Sequence, residues 1–477
     1  MKKRMALKMC GFSSLLLVAL SVKPITSFGA LVGENEAVAV ADLWYAMQLN
    51  SKHTRIPATE KANRLDKLQN RQVLYLVSED KVLDTPPIQG DILAYIIKYD
   101  PSGFVMVSGE DRIIPILVFD VESEFRWDHP QLNFLRYYVG KEMVNRWEYL
   151  RQNVGKGVTL EVHDDWSYLR SRLRESKSPK EAAFEAPEEP IYVLWETASW
   201  DQCDFYNDTV SAHNGNNVCV PTGCTATAMA IKMRFHRWPP AGNSSCSYTD
   251  TRGLGFSHSV NFGDQTYNWD AMPTTNLTQA NTDVADLMYH AGVAVSMEYG
   301  TACSPCSGAG SGAWPTAYSM NTYFLYIGTT EVSSGDMATP IKESVRAGLP
   351  VIVSSSTHTV VADGYRETQV PYFHINDGHG GGSWYYLDQF PWGGDPTIDM
   401  ACPYGQPPNY VYVDQDYSGT ESGKLNEPYD TFAEGYANCP DDGQLWLKGP
   451  KTYAMSPSRL TKKMRIHSYE GDVTVVR

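Results

Sequence analysis

Between Gly155 and Pro190 the chain changes character, and this break limits its folding more than any other feature. Glu, Lys, Arg, Ser and Pro crowd the stretch, apolar residues are few, and neither helical nor strand periodicity is sustained. Such a segment lacks the apolar surface that would offset the entropy of ordering it. The chain must therefore build one core before the break and another after it. Glu175 to Pro190 reads as an exposed linker where proteases cut. With 477 residues there is room for roughly three domains, and cores of that size fold without cysteine staples. The predicted division is 1–30, 31–155, 156–190, 191–409 and 410–477.

The opening thirty residues read as a cleaved secretory signal. Lys2, Lys3 and Arg4 precede an apolar run from Gly11 to Val22, and small residues follow at Ser27, Gly29 and Ala30. That run is well short of the about 20 residues a spanning helix needs. The mature protein is thus expected to be secreted, extracellular or held at the cell surface or in a periplasm, with no membrane span. Against 55 Asp and Glu stand only 40 Lys and Arg, a balance of −15. A surface of that sign repels phosphate backbones, so nucleic acid is not an expected partner.

Of nine cysteines Cys10 leaves with the signal. Disulfides are compatible with export. If one of the remaining eight stays a thiol, seven are left, and at least one more has no partner within the chain.

The first segment reads as mixed α/β. Helical spacing covers Ala37 to Leu49 and Leu132 to Leu150, and strand-like runs lie at Val73–Leu76, Ile92–Lys98, Phe104–Ser108 and Ile113–Phe119. After the linker, a helix is predicted from Cys224 to about Arg237, where Pro239 and Pro240 stop it. Val351–Ser355, Val360–Gly364 and Tyr372–Ile375 read as successive antiparallel strands. Short strands at Leu445–Lys448, Met464–Tyr469 and Val473–Val476 make the last segment a β-rich unit whose turn spacing is similar to the opening of a right-handed β-helix, without a full set of repeats. It is either a binding appendage or a structural cap.

Chemistry concentrates around Cys224. Thr222-Gly223-Cys224-Thr225-Ala226-Thr227-Ala228 puts a cysteine where unpaired N–H groups and the helix dipole favour a thiolate. The alternative is a buried or disulfide-bonded cysteine. A nucleophile needs a base, and His358, 134 residues on, heads a strand-like run. His374, His379 and His236 compete with it. Asn376, 18 residues beyond, could orient the imidazole, and the amide of Gln202, 22 residues before the cysteine, could hold an oxyanion together with the Cys224 N–H.

Taken together, Trp200-Asp201-Gln202, Phe205-Tyr206-Asn207, Thr222 through Ala230, Met233 to Pro239, Gly348-Leu349-Pro350-Val351, His358 through Gly364 and Asn376 through Gly381 resemble the streptopain family of cysteine peptidases. Tyr99 through Arg112 is similar to the inhibitory pro-domain that precedes such peptidases. The resemblance, over about 35–395, implies an α+β chain. It would hold a small α/β inhibitory pro-domain, a papain-like catalytic domain and the short β-rich unit. It implies Cys224 as nucleophile, His358 as general base and then acid, Asn376 as orienter and Gln202 as oxyanion donor, with no metal or cofactor. It further implies a zymogen acting on protein or peptide substrates, inhibited by its own pro-domain until the linker is cut. The Gly-rich stretch with Gly308, Gly310 and Gly312 looks like the family's segment along the substrate cleft, with Cys303-Ser304-Pro305-Cys306 inserted, a pair that suits a local disulfide better than a metal.

In one place the chain departs from the family. Where the family has Trp-Gly-Trp-Gly-Gly after the Asn, this chain has Asp377-Gly378-His379-Gly380-Gly381. Asp377 beside the pair would either act on the imidazole or substrate, raising the imidazole pKa, or face solvent. The changed positions are also the one support for a second reading, a catalytically inactive peptidase-like binding or adhesion protein.

Overall fold

The computed structural model describes residues 31–51, 54–78, 81–125, 139–140, 142–153, 161–175, 178–184, 191–194, 197–213, 220–251, 255–299, 310–311, 316–355, 358–366, 372–386, 400–455 and 460–476. The signal-like segment 1–30 lies outside them. The chain is of mixed α+β class.

Before the break the strands β1 (Arg71–Ser78), β2 (Lys81–Leu83), β3 (Ala94–Tyr99), β4 (Phe104–Ser108) and β5 (Ile116–Asp120) form an antiparallel run in the order β2-β1-β3-β4-β5. β4 and β5 are buried along their whole length, which explains why they read as unbroken apolar runs rather than alternating ones. The helix Glu34–Asn50 packs on β3 and β4 through Val40, Leu43, Trp44 and Tyr45. Gly103 turns β3 into β4 at φ +102°, and a Cβ there would lie 2.5 Å from the Tyr45 ring. Only glycine fits that turn.

The segment 156–190 is not the unstructured linker expected. Asp164–Glu175 is a helix, and Pro179–Phe184 is a second that packs on the first helix of the chain. Trp166 and Leu169, at i and i+3, are fully buried, and Trp166 Nε1–H donates to Ile113 O at 2.8 Å. Arg170 pairs with Glu36 at 2.6 Å and Asp111 at 2.9 Å. Leu173, at i+7, packs half-buried on the same core, so a narrow apolar stripe docks a helix otherwise made of charged and polar residues and an exposed tyrosine. Residues 185–190 lie outside the description.

After the break come β6 (Ile191–Val193), the hairpin β7 (Ser245–Thr249) and β8 (Ser257–Asn261), and the short pair β9 (Met297–Glu298) and β10 (Gly310–Ser311). The main strands here are β11 (Val351–Ser354), β12 (Thr359–Arg366), β13 (Tyr372–Asn376), β14 (Gly382–Tyr386) and β15 (Met400–Cys402), antiparallel in the order β15-β11-β12-β13-β14, with β6 on the far end of β12. Against this sheet lies the helix Cys224–His236, with the helix Thr282–Ala294 packed on it. They share a core with Trp200, Met229, Ile231, Leu287, Met288 and Val361.

The two halves do not stand apart. β14 pairs with β5, Trp384 opposite Phe119 and Tyr385 opposite Val118, so one sheet of eleven strands runs through both. Its core is continuous, joining Val40 and Phe119 to Val353, Tyr372 and Trp384. Tyr372 OH donates to Ile116 O at 2.8 Å, and Arg366 on β12 donates to the Gln48 side chain of the first helix.

The C-terminal stretch forms parallel ladders: β16 (Tyr410–Val413), β17 (Gly443–Lys448) and β19 (Met464–Tyr469) in one sheet, β18 (Lys451–Ala454) and β20 (Val473–Val476) in another. It is fastened to the rest by Trp446, which stacks near Tyr410 and Tyr412 and lies against Gly348. Tyr412 OH donates to Ala347 O at 2.9 Å.

Candidate active site

Cys224 opens the helix Cys224–His236, preceded by Gly223 at φ +91°. A Cβ on Gly223 would sit 2.5 Å from Met297 Cε, so a glycine before the cysteine lets β9 close against it. The helix is buried around most of its surface, and even Lys232 is enclosed, donating to Pro350 O at 2.8 Å. Cys224 itself is partly exposed and is a free thiol, which removes the disulfide-bonded reading. Cys203 is disulfide-bonded instead.

His358 is buried at the head of β12, in a turn where its N–H donates to Ser355 Oγ at 3.1 Å and the Ser355 N–H donates to its carbonyl at 2.8 Å. The next residue, Thr359, meets Thr225 hydroxyl to hydroxyl at 3.0 Å, locking β12 to the first turn of the cysteine's helix. Cys224 and His358 are hydrogen-bonded. Burial alone would push the thiol up. The His358 charge and hydrogen bond outweigh it, with help from the Thr359 N–H and hydroxyl, and bring Cys224 down to about 7. Burial would likewise push His358 down, but its bond to Cys224, the thiolate charge and Asp377 hold it above the ordinary imidazole value.

The group that orients His358 is a main-chain one. His358 Nε2 lies 3.1 Å from Asp377 O. A carbonyl only accepts, so Nε2 carries the proton and Nδ1 is left to face the thiol. Asn376 does not perform the role expected of it. Its Nδ2 donates to Ala198 O at 2.9 Å and its Oδ1 accepts from Gly378 N–H at 3.2 Å. The side chain thus shapes the turn that presents the Asp377 carbonyl.

Asp377 is buried in this turn. Its carboxylate accepts from His379 N–H at 2.9 Å, and its N–H donates to Gly381 O at 3.2 Å. Gln202 is buried close to the same turn: a Cβ on Gly378 would lie 4.0 Å from Gln202 Nε2 and 3.1 Å from Thr227 Cγ2. Gln202 O accepts from Thr222 N–H at 2.9 Å, tying this residue to the chain two positions before the cysteine. Gly310 pairs with Glu298 next to Met297, the residue packed on Gly223. Gly308, Gly312, Cys303 and Cys306 lie outside the described residues.

Residues 200–386 match the Peptidase C10 family. The match makes the central part of the chain similar to the streptopain family of cysteine peptidases. Streptopain of Streptococcus pyogenes is 24% identical over 341 residues, 64% of this chain and 76% of that one. The thiol protease/hemagglutinin PrtT of Porphyromonas gingivalis is 24% identical over 303 residues, 59% of this chain but only 32% of that longer protein. Among solved structures, a prointerpain A fragment of Prevotella intermedia aligns with a TM-score of 0.49 at 20% identity, over 67% of this chain and 98% of that one. The Peptidase C10 match and the thiol protease relatives support a cysteine peptidase.

Sequence reasoning missed three contributors to this site. The Asp377 carbonyl carries no sequence signal, since any residue supplies one. Thr359 was visible only as the first residue of a strand. His379 was seen as a rival base and as a departure from the family. Its ring lies parallel to His358, centroids 5.4 Å apart and 4° between planes, and Asp201, in the motif with Gln202, stands 3.7 Å from its Nδ1.

Proposed function

We propose that the chain is the zymogen of a secreted, papain-like cysteine endopeptidase, with Cys224 as nucleophile and His358 as base. One observation carries the reading. A free thiol at a helix N-terminus is hydrogen-bonded to an imidazole whose other nitrogen is fixed by a carbonyl.

His358 Nδ1 takes the thiol proton, and the thiolate attacks a peptide carbonyl carbon. The oxyanion is held by the Cys224 N–H and one N–H of the Gln202 amide. His358 returns its proton to the departing amine as the C–N bond breaks. Water, losing a proton to His358, then attacks the thioester and frees the acid and the thiol. The substrates are proteins or peptides, lying along the Gly310 strand.

Residues 31–155 act as the inhibitory pro-domain, docked edge to edge on β14, and a cut within 177–190 starts maturation. Export rests on the signal-like opening segment. Cys224→Ala should abolish hydrolysis, self-processing and labelling by a thiol-directed epoxide while the fold persists. A Cys224→Ala chain that still hydrolyses a casein-like substrate overturns the assignment.

A further inference from the structure

His379 touches more of this site than a shielding ring needs to. It is buried, lies parallel over His358, and its Nε2 is 3.2 Å from Gln202 Nε2. Its Nδ1 faces the Asp201 carboxylate at 3.7 Å, and its main-chain N–H is held by Asp377 Oδ1 at 2.9 Å. Asp201 is also bound to Gln202, whose N–H donates to Asp201 Oδ1 at 2.5 Å. The oxyanion donor and the ring that covers the base are therefore in contact with each other, and both stand beside one carboxylate.

These contacts determine which proton goes where. An amide nitrogen only donates, so Gln202 Nε2–H must donate to His379 Nε2, which must then be the bare nitrogen. The ring proton is on Nδ1, directed at Asp201. In that state one amide hydrogen is occupied by His379 and the other is free for an oxyanion. Add a proton to Nε2 and both ring nitrogens become donors. Gln202 Nε2 can no longer face the ring. The amide must turn so that Oε1 accepts from Nε2–H, and its NH2 swings away with it. The added charge also stands 5.4 Å from the His358 ring, which must itself become a cation during each turnover.

On the reading that Cys224 and His358 perform peptide hydrolysis, we propose that His379 is a positioning residue, neutral in the working enzyme, that aims the Gln202 amide at the oxyanion and releases it when protonated. The groups facing the ring are Asp201 and Asp377, which favour its proton, and His358, which opposes it. Burial also opposes it and is the largest influence. The net result places His379 below the ordinary imidazole range, so the ring is neutral at neutral pH. Activity should then fall on acidification through two protonations, one at His379 and one at the Cys224–His358 pair.

The test uses the full chain, incubated with reductant, with active thiol counted by epoxide labelling and hydrolysis of a fluorogenic peptide followed from about pH 4.5 to about 8.5. His379→Phe keeps a ring over His358 but cannot accept from Gln202. It should lower kcat about tenfold with KM little changed, because a misaimed oxyanion donor weakens the transition state more than the ground state. His379→Gln offers an acceptor oxygen that does not titrate, and should recover kcat to within about threefold of the wild type. In both variants the acid limb should shallow from two protons to one.

An acid limb unchanged in steepness in either variant overturns the proposal, as does a His379→Gln kcat as low as that of His379→Phe. Should His379→Phe fail to fold, the acid limb and kcat of His379→Gln decide alone. Absence of both hydrolysis and epoxide labelling in the wild type would defeat the peptidase reading itself, a result distinct from the other two.

Discussion

Phe119 and Trp384 lie face to face across the junction of the two halves, ring centroids 5.9 Å apart and 4° from parallel. They are opposite each other in the β5–β14 ladder, and the Arg366 guanidinium sits 5.5 Å from one ring and 5.8 Å from the other. Phe119 is fully buried. Phe119→Ala removes a core aromatic, a change that costs about 3–5 kcal/mol where the site cannot collapse. In a Cys224→Ala background, chosen to exclude self-processing, the expected outcome is a thermal midpoint lower by several degrees and faster cleavage of the 177–190 segment, which holds Lys177 and Lys180, by added trypsin. An unchanged midpoint would mean that the ladder hydrogen bonds alone hold the junction.

The thiol pKa offers a second check. The rate of Cys224 alkylation by iodoacetamide should rise with pH around a midpoint of about 7. Burial raises the thiol pKa and His358 lowers it, so His358→Ala removes the largest lowering influence. The midpoint should move up, to or beyond the ordinary thiol value of about 8.5. A midpoint that does not move in His358→Ala would show that the helix N-terminus and Thr359, not the imidazole, set the thiolate population.

How much of this was legible in the sequence differs from residue to residue. The cysteine's helix could be read because Ala and Met recur at helical spacing from Cys224 until Pro239 and Pro240 stop it. His358 could be read because a strand follows it directly. The turn after β13 could not, because Asn376 and the Asp377 carbonyl are adjacent in the chain, and only the fold decides which of them meets the base. The union of two sheets into one was likewise hidden. An edge strand that will pair across domains looks like any other buried strand, and β14, with Gly382 and Ser383 before Trp384, was not singled out as a strand at all. The helix Asp164–Glu175 was missed because its apolar stripe, Trp166, Leu169 and Leu173, is narrow and set among Asp, Ser and Arg.

Asn376 yields a prediction that separates the two roles. Were its side chain the orienter of His358, Asn376→Ala would disturb the base directly. Here it bonds Ala198 O and Gly378 N–H instead. Its loss should cost about 1–3 kcal/mol of stability through the buried Ala198 carbonyl left without its donor. The effect on kcat should stay below about tenfold, and the alkylation midpoint of Cys224 should stay where it is. A midpoint displaced upward by Asn376→Ala would restore the side chain to the orienting role.

The junction should also sense pH through His374. Its Nδ1 lies 2.6 Å from Asp363 Oδ1, and it borders a cavity of about 130 Å³ together with Asp120, Glu122 and Arg55 from the first half. Burial would push His374 down, but the Asp363 carboxylate outweighs it, Asp120 adds to the same side and Arg55 opposes, so the net shift is upward. A histidine whose pKa is raised by folding contributes stability that is complete below its unfolded value of about 6.5 and is lost as pH climbs through the folded value. Asp120 is raised as well, chiefly by burial, with the same sign at lower pH. The Cys224→Ala chain should therefore lose thermal stability as pH rises from about 6.5 into the alkaline range, where His374 gives up its proton and leaves two buried carboxylates facing each other. His374→Gln should flatten that part of the profile, since it keeps a donor for Asp363 but no charge to lose. If the slope survives the substitution, the alkaline loss belongs to another group. If it disappears, the proton on His374, held by Asp363 and Asp120, is what the chain loses in the alkaline range.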